Sequence, residues 1–217
     1  MGNDSWVRAR TPDQIETRTR EIRVATRRLL EHHLYDDISL VMIAKEASFT
    51  RSNIYRYYAT KEEVFLDLLK EDLTEWVRVL RGWLDPGGLT VSEFAARWID
   101  SLLEHRLMLR LLSILGTKLE AGSSVQALAS FKRQMKVIHR SEIESLRAAF
   151  PELTVQGAHS LILLRSSLVV GAFPAMQPTQ KQLDAMAEAE VAFEPEAYRD
   201  AMVGGVEAYL GSMIGEK

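Results

Sequence analysis

Apolar residues recur every three or four positions along almost the whole chain, and no stretch alternates apolar and polar residues as a half-buried strand does. The first such run extends from Pro12 to about His33 and carries Ile22, Ala25 and Leu29 on one helical face. Proline is confined to positions that read as helix starts or loops. The pattern predicts an all-α fold of nine or ten helices.

Capping sequences indicate where several of these helices begin. A Thr followed three residues later by Glu or Gln allows two backbone N–H groups to be satisfied reciprocally. Thr11–Gln14, Thr60–Glu63, Thr90–Glu93 and Thr179–Gln182 have this form. The second of them predicts a long fourth helix, and a break is expected near Gly116 in the apolar stretch further on.

The segment from Ser39 to Lys61 predicts a helix-turn-helix. A short helix with an apolar face starts at Ser39, a tight turn covers Ala47–Phe49, and a third helix runs from Thr50 to about Tyr58. Two helices joined by a tight turn, the second one polar at its start, form the geometry that places a helix in the major groove of DNA.

The polar residues of this segment have the chemistry that DNA contacts require. Arg and Asn side chains match the hydrogen-bonding edges of guanine and adenine, whereas Tyr and Lys reach phosphate oxygens. Tyr58 and Ile54 are expected in the core, and packing is the alternative role for the other tyrosines. The candidate DNA-binding residues are Ser39, Thr50, Arg51, Ser52, Asn53, Tyr55, Tyr57 and Lys61.

The segment from about Thr17 to Leu69 resembles the N-terminal domain of the tetracycline-repressor family. The matching pieces are Leu29–Leu30 and Tyr35 at the end of the first helix, Ser39 and Ile43–Ala47 in the second, Asn53–Tyr58 in the third and Lys61–Glu63 at the start of the fourth. The resemblance implies a two-domain, all-helical homodimer that binds a palindromic DNA operator and holds a small-molecule inducer in its C-terminal domain. It also implies phosphate contacts for Tyr55 and Lys61, and a groove-facing position for Arg51, Ser52, Asn53 and Tyr57.

Two positions depart from the family pattern, because Ser48 and Leu34 stand where the family usually has glycine. Glycine supplies a left-handed backbone without steric cost. Serine or leucine there either costs about 1 kcal/mol or more, or changes the turn.

These observations predict an N-terminal three-helix helix-turn-helix domain over residues 1–62, joined by a continuous helix to a C-terminal ligand-binding and dimerisation domain over residues 63–217. Two helices near the C-terminus carry stripes of apolar and small residues that suit either a dimer interface or packing inside one subunit. The resemblance favours the dimer, with interface residues Leu161, Leu164, Leu168, Ala172, Ala201, Gly205 and Ala208.

A ligand pocket is expected among the helices of the C-terminal domain. Such pockets are mostly apolar, with a few polar groups that fix orientation. The candidates, each of which has an ordinary core position as its alternative, are Trp76, Trp83, Trp98, Met108, Leu112, Phe131, Met135, His139, Arg165 and Phe173.

Composition and charge limit the chemistry, the binding partners and the cellular location that the protein can have. The chain has 217 residues and no cysteine, which excludes disulfides and thiolate chemistry. Residues 1–60 carry a net charge of +2 and the rest −5, a weak indication of nucleic acid at one end only. Met1–Arg10 has no apolar core of a secretory signal, and no apolar stretch is long enough to cross a bilayer, so we expect a cytoplasmic protein without a membrane partner.

Two other functional classes were weighed. The histidines lack metal-ligand spacing, and no catalytic or phosphate-binding motif is present, so neither a metal, a cofactor nor an enzyme is expected. The remaining alternative is a helical protein-interaction module whose helix-turn-helix no longer binds DNA. Loss of DNA binding when Tyr55 and Lys61 are both replaced by alanine would favour the DNA-binding regulator over the protein-interaction module.

Overall fold

The computed structural model describes residues 11–84 and 88–215. Within these ranges every regular element is helical, which confirms the predicted all-α class. No helix in the described ranges is long and apolar enough to cross a bilayer. Met1–Arg10, on which the expectation about a secretory signal rests, lies outside the described residues.

The helices begin and end close to where the apolar pattern predicted them, except at the end of α3, and the described ranges contain eleven helices instead of the expected nine or ten. A 3-10 turn spans Tyr35–Asp37 and a π-helical turn spans Leu115–Leu119. In chain order the helices are α1 (Pro12–His32), α2 (Leu40–Glu46), α3 (Arg51–Ile54), α4 (Lys61–Trp83), α5 (Val91–Leu103), α6 (Arg106–Ser113), α7 (Glu120–Gly122), α8 (Val125–Ala149), α9 (Val155–Ala172), α10 (Gln180–Glu188) and α11 (Pro195–Ile214).

The chain forms two compact units. Among the described residues, the first consists of those up to Leu68 together with Lys118–Leu128, and the second of those from 69 to 117 together with those from Ala129 onward. Two helices, α4 and α8, begin in the first unit and continue into the second. The first unit therefore contains a segment, Lys118–Leu128, that lies far from the helix-turn-helix in sequence.

Local capping contacts explain where the first helices begin. Thr11 Oγ1 accepts a hydrogen bond from the Gln14 N–H, and the Gln14 side chain accepts one from the Thr11 N–H. Ser39 Oγ accepts from the Met42 N–H over 3.2 Å. Each contact satisfies an N–H group that a helix leaves unpaired in its first turn. The predicted starts at Thr11 and Ser39 are confirmed.

The core of the first unit is formed by the inner faces of α1 to α4. Ile22, Ala25, Ile43, Ile54 and Phe65 are each at most 1% exposed. Burying a side chain of this size contributes roughly 1.5–3 kcal/mol, apart from the smaller alanine. This packing holds the short α2 and α3, which have too few hydrogen bonds to be stable alone.

A polar contact inside this unit holds Tyr58, which follows α3. Tyr58 Oη donates to Asp67 Oδ2 over 2.6 Å, and Arg23 Nη1 donates to the same oxygen over 3.2 Å. Burial and the neighbouring carboxylate both raise the pKa of Tyr58 above its ordinary value. The prediction that α3 reaches Tyr58 is wrong: the helix ends at Ile54, and tight turns then direct Tyr58 inward.

The two departures from the family glycine pattern behave differently. Ser48 has φ +59°, so it adopts the left-handed conformation that glycine would adopt without cost. Leu34 has φ −74° and ψ +155°, an extended conformation open to any residue. The turn between α2 and α3 is therefore strained at serine, whereas the chain after α1 has no position that requires glycine at Leu34.

The second unit packs α5, α9 and α11 around a large apolar core. Trp76, Phe94, Trp98, Leu102 and Val206 are at most 1% exposed. The predicted capping boxes at Thr90 and Thr179 are confirmed, with both reciprocal contacts present in each. The break expected near Gly116 occurs as α6 ends at Ser113 and the π-helical turn follows.

Helices α9 and α11 lie side by side in antiparallel directions. A Cβ atom placed on Gly157 would lie 3.3 Å from Met213 Sδ, and one placed on Gly205 would lie 3.2 Å from Leu168 Cδ1. Small residues at these positions let the two helices approach closely. The two helices therefore present one continuous surface.

Candidate DNA-binding surface and candidate ligand cavity

The start of α3 is exposed while its inner side is anchored in the core. Arg51 and Ser52 are exposed and Tyr55 is 48% exposed, whereas Ile54 is fully buried. Thr50 Oγ1 accepts from the Asn53 N–H over 3.2 Å and lies 3.2 Å from Ser52 Oγ. A hydrogen-bonded turn of polar residues is thereby held on a fixed apolar base.

The other predicted contact residues of this surface differ in exposure. Asn53 and Tyr57 are half-buried, and the Tyr57 ring meets Phe49 edge-on with 5.9 Å between ring centroids. Ser39 is exposed and caps α2. Packing thus fixes the direction of the Tyr57 ring but leaves part of that side chain accessible.

Lys61 is placed differently from the sequence expectation. Its ammonium donates to the backbone carbonyl oxygens of Tyr35 over 2.9 Å, Ile38 over 2.7 Å and, at 3.5 Å, Asp36. It also lies 4.3 Å from the centroid of the Tyr35 ring. An ammonium has three donors, so a phosphate contact would require one of these bonds to be exchanged. In this structure Lys61 holds the chain between α1 and α2.

The same region ties the late segment of the first unit to the helix-turn-helix. Tyr35 Oη donates to Glu62 Oε1 over 2.8 Å, and burial followed by this carboxylate raises the pKa of Tyr35. Lys118 forms an ion pair with Asp36. The Lys118 hydrogen bond holds the pKa of Asp36 below its usual value.

Glu63 makes a second link to that segment. Its N–H donates to Thr60 Oγ1 over 3.4 Å, which is one half of the predicted capping box, but its carboxylate accepts from the Ala59 N–H over 2.8 Å and not from the Thr60 N–H, so the reciprocal half is not formed. The other carboxylate oxygen accepts from Ser124 Oγ over 2.7 Å. Ser124 Oγ in turn accepts from the Ala127 N–H, in the first turn of α8. The starts of α4 and α8 are therefore joined through one carboxylate.

Sequence reasoning did not single out Arg56. This arginine is exposed in the turn after α3, and its side chain makes no hydrogen bond or ion pair with any described residue. Residues 47–60 contain no Asp or Glu, so Arg51 and Arg56 give the exposed side of this segment a positive charge. The signal available in the sequence was this absence of acidic residues.

The second unit contains a cavity of about 860 Å³, a size typical of small-molecule sites. Helices α4, α8 and α9 supply most of its walls, and Leu112 and Leu115 complete them. Six of the ten residues expected in a pocket line this cavity: Trp76, Leu112, Phe131, Met135, His139 and Arg165.

The other four expected pocket residues do not line this cavity. Trp83 lies against Phe94 and under the guanidinium of Arg97. Trp98, Met108 and Phe173 are buried in the core of the unit. Helical periodicity marked all four as inward-facing but could not distinguish a packed interior from a cavity wall.

A buried ion pair forms part of the cavity wall. Arg165 Nη2 donates to Glu142 Oε1 over 2.8 Å, and the guanidinium lies 4.9 Å from the Trp76 ring centroid and 4.8 Å from that of Trp98. Arg165 Nε is buried and has no partner among the described residues. Burial raises the pKa of Glu142, and the adjacent guanidinium opposes that rise. Partial burial and repulsion from Arg165 lower the pKa of nearby His139.

The expected interface residues on α9 and α11 fall into two groups. Leu161 is fully buried within the unit and packs in its core. The others keep exposed surface to different degrees: Leu164, Leu168, Ala172, Ala201, Gly205 and Ala208. Leu163 of α9, which was not predicted, is 53% exposed, and Met213 of α11 is 39% exposed.

In the described ranges, no three His, Cys, Asp or Glu side chains come together as a group that could hold a metal ion.

Comparison with known proteins agrees with this arrangement. The family model of bacterial regulatory proteins, tetR family, matches residues 22–68, and the model of the tetracyclin repressor-like C-terminal domain matches residues 70–209. The crystal structure of a TetR transcriptional regulator from Rhodococcus sp. RHA1 is similar, with a TM-score of 0.54 and 13% sequence identity over 90% of this chain and 96% of that chain. At that identity the likeness concerns the fold. No curated protein sequence matches the chain. The chain therefore belongs to the tetracycline-repressor family of DNA-binding transcriptional regulators.

Proposed function

We propose that this protein is a ligand-released repressor that binds a palindromic DNA operator as a homodimer. The α3 surface of the first unit contacts DNA, and a small molecule in the cavity of the second unit releases it. Membership of the family supports the first part of this proposal, and the size and apolar walls of the cavity support the second.

Contacts with the operator come from the exposed side of α3 and its flanks. Arg51 and Asn53 read base edges, with Thr50 and Ser52 beside them in the groove. Tyr57 faces the groove, and Tyr55 and the cap at Ser39 contact phosphates. We add Arg56 to the phosphate contacts because it is exposed and has no partner among the described residues. Lys61 positions the chain before α2 rather than a phosphate, given its bonds to Tyr35 and Ile38.

Release by a ligand is supported by α4 and α8, since each helix begins at the contact between Glu63 and Ser124 and continues to the cavity. The start of α4 carries Glu63, and Trp76 of the same helix lines the cavity 13 residues later, about 20 Å along the axis. Ser124, which binds Glu63, directly precedes α8, and Phe131 of that helix also lines the cavity. If a ligand moves one of these helices, the Glu63–Ser124 contact transmits the movement to the start of the other helix.

The homodimer is formed by α9 and α11 from each subunit in a four-helix arrangement about a two-fold axis. The small residues Ala201, Gly205 and Ala208 permit close approach of a second copy, and Leu163 adds exposed apolar surface. Such a dimer holds two recognition surfaces about 34 Å apart, one turn of DNA. Ligand binding that changes this spacing would weaken operator affinity about 5- to 150-fold at ordinary coupling strength.

Selection of binding sites from a random duplex pool tests this function. Enrichment of a palindrome whose half-sites are about 10 base pairs apart is expected, and the same DNA then serves for titration. An enriched site without two-fold symmetry would contradict the dimer. Absence of any sequence-specific enrichment would overturn the repressor and favour the protein-interaction module.

A further inference from the structure

The mouth of the cavity carries a row of basic side chains on one helix. Lys132, Lys136 and Arg140 of α8 line it at intervals of four residues, so they lie on the same helical face. All three are exposed. The residues directly before Lys132 and Lys136, Phe131 and Met135, face inward and are buried and half-buried respectively.

The charges around the cavity do not cancel. Its lining includes two carboxylates, Glu142 and Glu144, and five Lys or Arg side chains. Glu142 is already neutralised by Arg165 at 2.8 Å. The remaining lining cations therefore outnumber the one remaining carboxylate, Glu144.

Two of these cations lack partners of their own. The side chains of Lys136 and Arg140 form no hydrogen bond or ion pair with any described residue. Arg147, in contrast, donates from Nε to the Leu153 carbonyl oxygen over 3.0 Å. Lys136 and Arg140 are therefore the lining cations most available to a ligand.

The interior of the cavity is apolar and partly aromatic. Trp76 and Phe131 are buried in its wall, Met135 and Leu112 are half-buried, and Ile162 belongs to the same lining. These side chains can bury the apolar part of a drug-sized ligand, and the flexible Met135 side chain can adapt to an irregular ligand shape. Apart from the buried Arg165–Glu142 pair, the lining Lys and Arg side chains are exposed, whereas the apolar ones named above are buried or half-buried.

We infer that the cavity binds an amphipathic anion, a molecule with an apolar, partly aromatic body and one acidic group, and that Lys136 and Arg140 hold the acidic group at the mouth. This inference rests on the proposed function in one respect only, namely that the molecule bound in the cavity is the one that releases the protein from DNA. A neutral molecule of the same shape loses the contact with these two cations, and a cationic one is repelled by them.

Two fluorescent probes that share one framework test this inference. 1-Anilinonaphthalene-8-sulfonate carries an acidic group, N-phenyl-1-naphthylamine lacks it, and both brighten when they enter an apolar site. The full-length protein is titrated with each. We expect the sulfonate to bind about 5- to 10-fold more tightly than the neutral probe, since two partly exposed charge contacts are worth that much together.

Substitutions show which residues cause the preference for the sulfonate probe. Lys136→Gln with Arg140→Gln should remove the 5- to 10-fold preference for the sulfonate and leave the affinity for the neutral probe unchanged. Arg133→Gln with Lys181→Gln makes the same change in net charge at exposed positions that do not line the cavity, and should leave both affinities unchanged. Met135→Trp fills the cavity and should weaken both probes, with circular dichroism showing that the variant is folded.

Equal affinities of the wild-type protein for the two probes would overturn the inference. A loss of sulfonate preference in the Arg133 and Lys181 variant, or undiminished binding of both probes to folded Met135→Trp, would overturn it as well. Operator titration keeps the proposed function separate. If the sulfonate preference depends on Lys136 and Arg140 but the protein binds no operator, the repressor proposal fails and the inference about ligand charge stands.

Discussion

Arg165 and Glu142 form an ion pair inside the second unit, with Nη2 donating to Oε1 over 2.8 Å and with 5% and 2% of their side chains exposed. Removing two charges from water costs several kcal/mol for each ion, and only close geometry and further contacts offset it. The Trp76 and Trp98 rings beside the guanidinium supply such contacts. The attraction within the pair therefore mainly offsets the cost of burying its two charges in the cavity wall.

Replacing one partner of this pair should destabilise the protein strongly. Arg165→Met leaves the Glu142 carboxylate buried without a counter-ion, and we expect a loss of about 3–5 kcal/mol in the free energy of unfolding, measured by urea denaturation. Arg199→Met breaks a partly exposed pair with Asp100 in the same unit and should cost about 1 kcal/mol or less. Similar losses in the two variants would contradict the assigned role of burial.

The turn between α2 and α3 should become more stable when glycine replaces Ser48. The φ of +59° at Ser48 costs a residue with a Cβ about 1 kcal/mol, so Ser48→Gly should raise the free energy of unfolding by about 0.5–1 kcal/mol. Leu34→Gly is the matched control, because Leu34 is extended and glycine there only adds freedom to the unfolded chain. Stabilisation by Leu34→Gly, or none by Ser48→Gly, would refute this explanation of the turn.

Lys61 should matter for the stability of the first unit. Lys61→Met removes the donors to the carbonyl oxygens of Tyr35 and Ile38, and we expect the first unit to lose about 1–3 kcal/mol of stability. Lys45→Met changes an exposed lysine of α2 and should alter the free energy of unfolding by about 0.5 kcal/mol or less. If Lys61→Met unfolds like the wild type in thermal and urea denaturation, its ammonium is not required to hold that segment.

The proposed dimer surface on α9 and α11 can be tested without disturbing the core. Ala208 is exposed in the subunit, so Ala208→Arg leaves the fold intact but places a charge where a second copy would pack. Analytical ultracentrifugation should show a monomer for this variant at concentrations where the wild type is a dimer. Ala187→Arg, at an exposed alanine of α10, is the control and should remain dimeric. A dimeric Ala208→Arg variant would exclude this surface.

Features set by neighbouring residues could be predicted from the sequence. The caps at Thr11, Thr90 and Thr179 depend on partners three residues away, and all three are present. The contact of the Tyr58 hydroxyl with Asp67 could not be predicted, because Asp67 lies nine residues later on another helix. A helical pattern shows which residues face inward but not what they meet there.

The same limit applies to the candidate sites. Lys61 has the spacing of a phosphate contact, yet its bonds go to carbonyl oxygens 23 to 26 residues earlier in the chain. Trp76 and Trp98 are both inward-facing tryptophans, but only the first lines the cavity. Long-range packing distinguishes these cases, and no local pattern records it.

The most direct test of DNA recognition by α3 is the equilibrium dissociation constant for the selected operator, measured for the wild type and for Arg51→Ala and Tyr55→Ala at one salt concentration. Arg51→Ala should weaken binding by about 1–3 kcal/mol and relax the preference at one base pair, and Tyr55→Ala should weaken it on all sequences alike. Arg133→Ala, an exposed arginine of the second unit, serves as the control and should bind like the wild type. Wild-type affinity and base preference in both α3 variants would contradict DNA binding by this surface.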